Sequence, residues 1–392
     1  MSVFGRYGAG GRPMPRVMRL TVRSDGASPP AMAAQASDAA SAPLRFACDI
    51  HEEGTGLSWT YSATLSRRAE AAMVAQTAIL HEASTRRSVR PAAARRAAEM
   101  MGRQLDRTFL GGRGREYLSR ARPTALLLEI DERVLSLPWE LIGRDEPWSQ
   151  RVPVGRVVRT ATAPRPERDP LAQDSNVRIL AVIDPTADLV VARHELDALK
   201  AITGHRAGGY RLHLDRLEGA GATRAELRRR LRDGDYDVLH FAGHAAFAAR
   251  RSGASVLSLA DGPLTADEVL TLEWPAPPGI VFASACESAR LRAGARLVGR
   301  GRAANGIAAA FLSAGVAGYV GYQWPVSDVG AGLVAETFYG TLFERENVGM
   351  AILEARRRAV HELAAGGDLA GHSVVLYGDA GSEHRRDLAM AA

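Results

Sequence analysis

The chain has 392 residues, 46% of them hydrophobic and 24% charged, with a formal net charge of +6, the balance of a globular protein with room for two domains. Its two cysteines, Cys48 and Cys286, exclude a disulfide framework and a cysteine-rich zinc site, and fit a reducing, cytoplasmic setting. The excess arginine lies in runs of helical spacing such as Arg228-Arg229-Arg230 and Arg356-Arg357-Arg358, and aromatic residues are only 6%, so solvated helix faces are expected and no nucleic-acid partner.

Residues 1–43 read as a flexible segment, Gly- and Arg-rich and then Ala/Ser/Pro-rich, with one strand-like run at 16–22 and no apolar core of a secretory signal. Residues 44–162 read as an α+β subdomain. Alternation over 44–65 predicts a β-hairpin turned through Gly54-Thr-Gly56, and Ala-rich helical spacing fills 66–121, with Pro91 opening a helix. A second hairpin is expected from 125–130 and 134–142, then a strand at 152–160. A Pro/Arg/Asp-rich linker occupies 163–175.

From 176 to 380 strands and helices alternate, which predicts βαβ units and a parallel sheet. Strands are expected at 177–183, 210–217, 237–242, 279–284, 317–323 and 373–376, with a small hairpin at 255–264. Helices are expected at 191–202, 223–231 (Thr223 as cap, Glu226 three residues on), 303–314, 328–344 and 348–364, and residues 381–392 form a flexible tail. The stretch 303–327 carries no charge and is long enough to span a bilayer, but Asn305-Gly306, Ser313-Ala-Gly315 and Trp324-Pro325 break it into a helix and a buried strand, so no membrane span is expected.

Two strand ends carry the chemistry. Asp237-Val-Leu-His-Phe-Ala-Gly-His244 delivers a histidine and Gly279-Ile-Val-Phe-Ala-Ser-Ala-Cys286 delivers a cysteine, each at the carboxyl edge where an open parallel sheet forms its crevice. A thiol beside an imidazole is a nucleophile with its base; alone, a cysteine ending an apolar strand is more often a small buried hydrophobe. Backbone N–H groups of Gly243, Ala245 and Cys286 are candidate donors to an oxyanion, and Asp184, Ser284 and Asp328 are candidate substrate contacts that could equally serve as turn residues or helix caps. His240 and His244 lie about 13 Å apart along a strand, too far to share an ion, and His240-Phe-Ala-Gly-His244 lacks the zincin glutamate. No metal and no cofactor are expected; His240 is read as packing or orienting locally.

Several segments in order resemble a CHAT-domain cysteine peptidase of the caspase- and separase-like group. They are Leu135-Ser-Leu-Pro-Trp-Glu-Leu-Ile142, the strand at 177–185 followed by Glu195, His240-Phe-Ala-Gly-His244, Ser284-Ala-Cys-Glu-Ser288, Gly306-Ile-Ala-Ala-Ala-Phe-Leu-Ser-Ala-Gly315, Gln323-Trp-Pro-Val-Ser-Asp328 and Val374-Val-Leu-Tyr-Gly378. The resemblance implies an α/β fold with a caspase-like, mainly parallel sheet sandwiched by helices, behind a degenerate α+β N-terminal subdomain. It implies a His244–Cys286 dyad cleaving a specific partner protein, activation by a signal or a protein partner, and a role in bacterial defence or regulated cell death. Two departures stand out: Ala245 replaces the glycine that commonly follows the histidine, and Ser284 stands where metacaspases hold a basic P1 side chain with aspartate. The chain shows no tetratricopeptide repeat. The rival expectation is a catalytically silent interaction module of the same fold.

Overall fold

A computed structural model describes residues 16–25, 42–56, 58–85, 90–158, 176–189, 192–203, 210–248, 253–291, 306–345 and 347–381. The linker at 163–175, the tail beyond Gly381 and most of the arginine-rich loop after Arg290 lie outside the described residues.

Eleven strands make one sheet, in the order β3-β2-β1-β4-β5-β14-β13-β12-β8-β6-β7. The front half comprises β1 (Val17–Ser24), β2 (Leu44–Glu52), β3 (Ser58–Leu65), β4 (Ala125–Ile130) and β5 (Val154–Val157). The rear half comprises β6 (Asn176–Ile183), β7 (Arg211–Glu218), β8 (Val238–Ala242), β12 (Ile280–Ser284), β13 (Gly318–Tyr322) and β14 (Val374–Tyr377). All pairings are parallel except β1–β2, β2–β3 and β13–β14. A separate small ribbon holds β9 (Ala245–Ala246), β10 (Val256–Leu259) and β11 (Gly262–Thr265).

Both faces of the inner rear strands β8, β12, β13 and β14 are covered, as uncharged parallel strands require, whereas the edge strand β7 is charged and partly exposed. Along β6 the side chains alternate. Val177, Ile179, Ala181 and Ile183 face α4 (Ala192–Thr203), α8 (Asp328–Arg345) and α9 (Val348–Leu363). Leu180 and Val182 face α5 (Arg224–Asp233), α6 (Ala266–Leu270) and α7 (Ile307–Ser313). In the front half, α1 (Arg67–Thr85), α2 (Pro91–Leu105) and α3 (Gly111–Ala121) pack on the sheet around Met18, Phe46, Met101 and Trp139. The last helix, α10 (Ala370–Ser373), runs straight into β14. Among the described residues no helix is long and apolar enough to cross a membrane.

Two expectations need correction. The segment 1–43 includes an ordered strand: β1 lies between β2 and β4 with Met18, Leu20 and Val22 buried. Residues 134–142 form no strand, because β4 already has parallel partners on both sides, β1 and β5. That segment instead folds through a short 3-10 turn at Trp139–Leu141, with the Trp139 indole donating to the Val134 carbonyl at 2.8 Å. The regions on either side of the linker contribute strands to one sheet. Tyr377 of β14 pairs with Arg156 of β5, and Gly378 N–H donates to the Arg156 carbonyl at 3.0 Å.

Two buried arginines fasten that seam. Arg156, 1% exposed, grips the equally buried Glu140 carboxylate and donates to the carbonyls of Leu135 and Leu137 at 3.1 and 3.2 Å. Arg356 of α9 donates to the carbonyl of Val154 on β5 at 3.1 Å and to that of Val374 on β14 at 3.2 Å. Burial lowers its pKa to about 10.

Candidate functional site

Strands β8 and β12 are neighbours, paired parallel from Ile280↔Val238 to Ser284↔Ala242. His244 and Cys286 each lie two residues past that last pair, at ends one strand spacing apart, ~4.8 Å. The Gly243 N–H donates to the Ser284 carbonyl at 3.2 Å, continuing the ladder to the edge of the crevice. The expected juxtaposition of the two strand ends is therefore present.

The turn after β12 is tightly built. Glu287 has φ +56°, a left-handed conformation that costs a non-glycine residue about 1–2 kcal/mol. Buried bonds on the far side hold it. Ser288 Oγ donates to the Ala283 carbonyl at 2.8 Å and accepts from the Tyr322 N–H at 3.1 Å, while Tyr319 and Tyr377 hydroxyls donate to the carbonyls of Ser288 and Ala289. Gly321 makes room for this knot, since a Cβ there would stand 2.5 Å from Ser288 Oγ. The Glu287 carboxylate is held by Arg290 and by His81 of α1, whose Nε2 lies 3.2 Å away. The Arg290 guanidinium also lies over the Phe247 ring, 4.8 Å from its centre, tying the cysteine turn to the chain that follows His244.

Burial pushes the Cys286 thiol up; the Val326 N–H beside the sulfur opposes this, while the Glu287 and Asp328 carboxylates push the same way as burial. The balance of these effects favours the neutral thiol. Among the described residues His244 makes its hydrogen bonds to Asp188, Nε2 to Oδ1 at 3.0 Å and to Oδ2 at 3.2 Å, and none to Cys286. The Thr186 hydroxyl, and then His244, hold the Asp188 carboxyl below the usual carboxylate range. Cys48 is sealed in the front core, its thiol pushed up to about 12 by burial.

The other residues singled out from the sequence divide. Asp184 is buried, with φ +46°, and its Oδ1 accepts from the N–H groups of Asp188 and Leu189, both at 3.0 Å. Ser284 is buried too and donates to Glu195 Oε1 at 2.9 Å. The Asp184 carboxylate and the Ser284 hydroxyl are both engaged in internal hydrogen bonds. Asp328 is exposed at the start of α8, near enough to Cys286 to raise its pKa, but the helix cap is Ser327, whose Oγ accepts from the Gly330 N–H at 2.9 Å. Of the three backbone donors, Gly243 is used up by the strand ladder. The Ser258 N–H bond to the His244 carbonyl makes Ala245–Leu257 a non-hydrogen-bonded pair, which leaves the Ala245 N–H outside the ribbon's ladder. Ala245 avoids the left-handed region, so the alanine introduces no strain there.

His240 is fully buried one layer below. Its Nδ1 is 3.0 Å from the Tyr339 hydroxyl, and its Nε2 lies 3.3 Å from Glu195 Oε2 without a hydrogen bond between them, so Glu195 bonds Ser284 and only approaches His240. Among the described residues no three His, Cys, Asp or Glu side chains converge as a metal site. Asp188 carries no sequence pattern that would have marked it; Glu195 was visible only as part of the ordered motif set.

A family model described as the CHAT domain matches residues 91–370, well over half of the chain. The chain belongs to the CHAT-domain family. Its fold is similar to that of Saccharomyces cerevisiae separase in two crystal structures of the separase–securin complex, with TM-scores of 0.55 and 0.53 at 11% identity. Those matches cover 92% and 93% of this chain but 30% of separase, so the CHAT protein spans less than a third of that protein's length. It is also similar, at a TM-score of 0.43 and 11% identity over 82% of this chain and 78% of the other, to the complex of Porphyromonas gingivalis RgpB pro- and mature domains, a likeness too distant to carry an argument. No curated protein matches the CHAT chain in sequence. Identity at this level establishes the shared fold: a large, mainly parallel sheet flanked by helices.

Proposed function

We propose that this CHAT protein is a cysteine endopeptidase in which Cys286 is the nucleophile and His244 its general base and acid. The observation that carries the reading is the register of β8 against β12, which brings one imidazole and the chain's one non-core thiol to adjacent strand ends. In the reaction His244 takes the Cys286 proton, and the thiolate attacks the peptide carbonyl to form a C–S bond. The Ala245 and Cys286 N–H groups face the resulting oxyanion. Collapse breaks the C–N bond, the amine leaves with the proton from His244, and water, deprotonated by the same ring, releases the acid and restores the thiol.

The upward shift of the Cys286 thiol, and the lack of a His244–Cys286 hydrogen bond among the described residues, support a latent state that substrate or an activating protein converts. Cleavage of a specific partner protein, in bacterial defence or regulated cell death within the cytoplasm, is the biological setting that goes with this chemistry. A silent scaffold of the same fold would have no use for either reactive group at these ends.

A panel of tetrapeptidyl acyloxymethyl ketones tests the assignment. An adduct on Cys286 that forms at least about tenfold more slowly in His244→Ala supports it; equal labelling of the two proteins, read by mass spectrometry, refutes it. Cys48 lies buried and gives no competing signal.

A further inference from the structure

The loop between β6 and α4 is built at a cost. Asp184 and Ala187, neither of them glycine, both sit at positive φ, +46° and +57°, and such strain persists only where the surroundings impose it. Here they do. Asp184 N–H donates to the Ala242 carbonyl at 2.8 Å, tying the loop to the end of the strand that bears His244. Ala187 N–H returns to the Asp184 carbonyl at 3.0 Å, and the Asp184 carboxylate captures the next two N–H groups. Thr186 Oγ1 donates to Asp188 Oδ1 at 2.5 Å and aims that carboxylate. The product of all this is one carboxylate held against one ring nitrogen, His244 Nε2. The pair itself is solvent-exposed, 44% at His244 and 60% at Asp188, so its fixed geometry comes from the strained, internally braced loop behind it.

We propose that Asp188 is the positioning residue of His244. By accepting from Nε2–H it fixes the neutral ring in one tautomer and leaves the Nδ1 lone pair as the only site that can take the Cys286 proton. When Nδ1 is protonated, the same carboxylate faces the imidazolium and stabilises it until the proton passes to the leaving amine. Asp184 acts one step further back, by shaping the loop. The assignment deepens the peptidase reading and rests on it, but its physical core, which nitrogen carries the hydrogen, can be measured without any turnover.

Two measurements on the full chain decide it. In 15N-histidine NMR, with the His244 signal assigned by its loss in His244→Ala, the neutral ring is expected as the Nε2–H tautomer, and Asp188→Ala is expected to abolish that preference. An Nδ1–H tautomer in the wild type, or no change in Asp188→Ala, overturns the proposal. In labelling by the acyloxymethyl ketones, Asp188→Asn is expected to lower kinact about tenfold or more with KI unchanged, and Asp188→Glu to recover most of it. An unchanged kinact in Asp188→Asn, or a loss confined to KI, also overturns it. Failure of every ketone to label the wild type would instead sink the peptidase reading, and the tautomer would then decide alone whether Asp188 sets the ring.

Discussion

Replacing Arg156 by methionine tests whether the seam between the two halves is held as described. The guanidinium and the Glu140 carboxylate are both 1% exposed, joined by Nε to Oε1 at 2.8 Å and by a second, parallel contact. The same group satisfies the carbonyls of Leu135 and Leu137, and the Gln323 amide oxygen accepts from it at 2.6 and 3.0 Å once the amide faces the arginine. Methionine matches the stem but donates nothing, leaving a buried carboxylate without its counter-charge. Breaking one side of such a pair costs about 3–5 kcal/mol, which in a chain of this size lowers the melting temperature by about 4–6 °C. Adding Glu140→Met removes the stranded charge, so the double variant should regain more than half of the loss. Urea unfolding followed by circular dichroism measures both. If the double variant is no more stable than Arg156→Met, or if the single loss is below about 1 kcal/mol, the pair is not coupled in this way.

Two further outcomes follow from charge placement. Asp328→Asn removes one of the carboxylates that raise the Cys286 thiol, so iodoacetamide should alkylate Cys286 roughly two- to threefold faster at pH 7.5; a slower or unchanged rate contradicts the placement of that helix end. Burial lowers the His372 pKa from 6.5 to about 4, so the unfolded chain binds more protons between those values and stability falls as pH drops from 6.5 towards 4. Such a shift is worth about 3 kcal/mol at full burial, but the residue as a whole is only half-buried even though its Nδ1 is sealed, which discounts the effect to about 1–2 kcal/mol. In His372→Phe the decline over that window should shrink by that amount, as read by chemical unfolding at pH 4 and pH 7.

The parts of the site legible from sequence are those fixed by local pattern. Uncharged runs ending in His244 and Cys286 identify β8 and β12, because a strand covered on both faces admits little else. Thr223 caps α5 by accepting from the Glu226 N–H at 3.2 Å, and Pro91 opens α2, as one-turn signals allow. Asp188 was illegible because its role comes from a strained loop folding back on a strand that begins some fifty residues later. Asp184 was noticed as a polar strand end, but nothing local distinguishes a loop brace from a pocket wall. The boundary at 163–175 was inferred from composition, which tells where a chain leaves a sheet and not where it returns. Here it returns through β14, more than two hundred residues after β5, to complete the same sheet.

That return changes the status of the front half. A degenerate subdomain joined only by a linker would have no route to the chemistry at β8 and β12. In this sheet it has two. Through Arg156 it holds Gln323, which leads directly into Val326, the residue whose N–H lies beside the Cys286 sulfur. Through His81 of α1 it holds Glu287, the left-handed residue that sets the exit of the cysteine turn. The same Glu287 carboxylate is bound by Arg290, whose guanidinium lies over Phe247, three residues past His244. The front half is thus in contact with the loops that carry Cys286 and its neighbours.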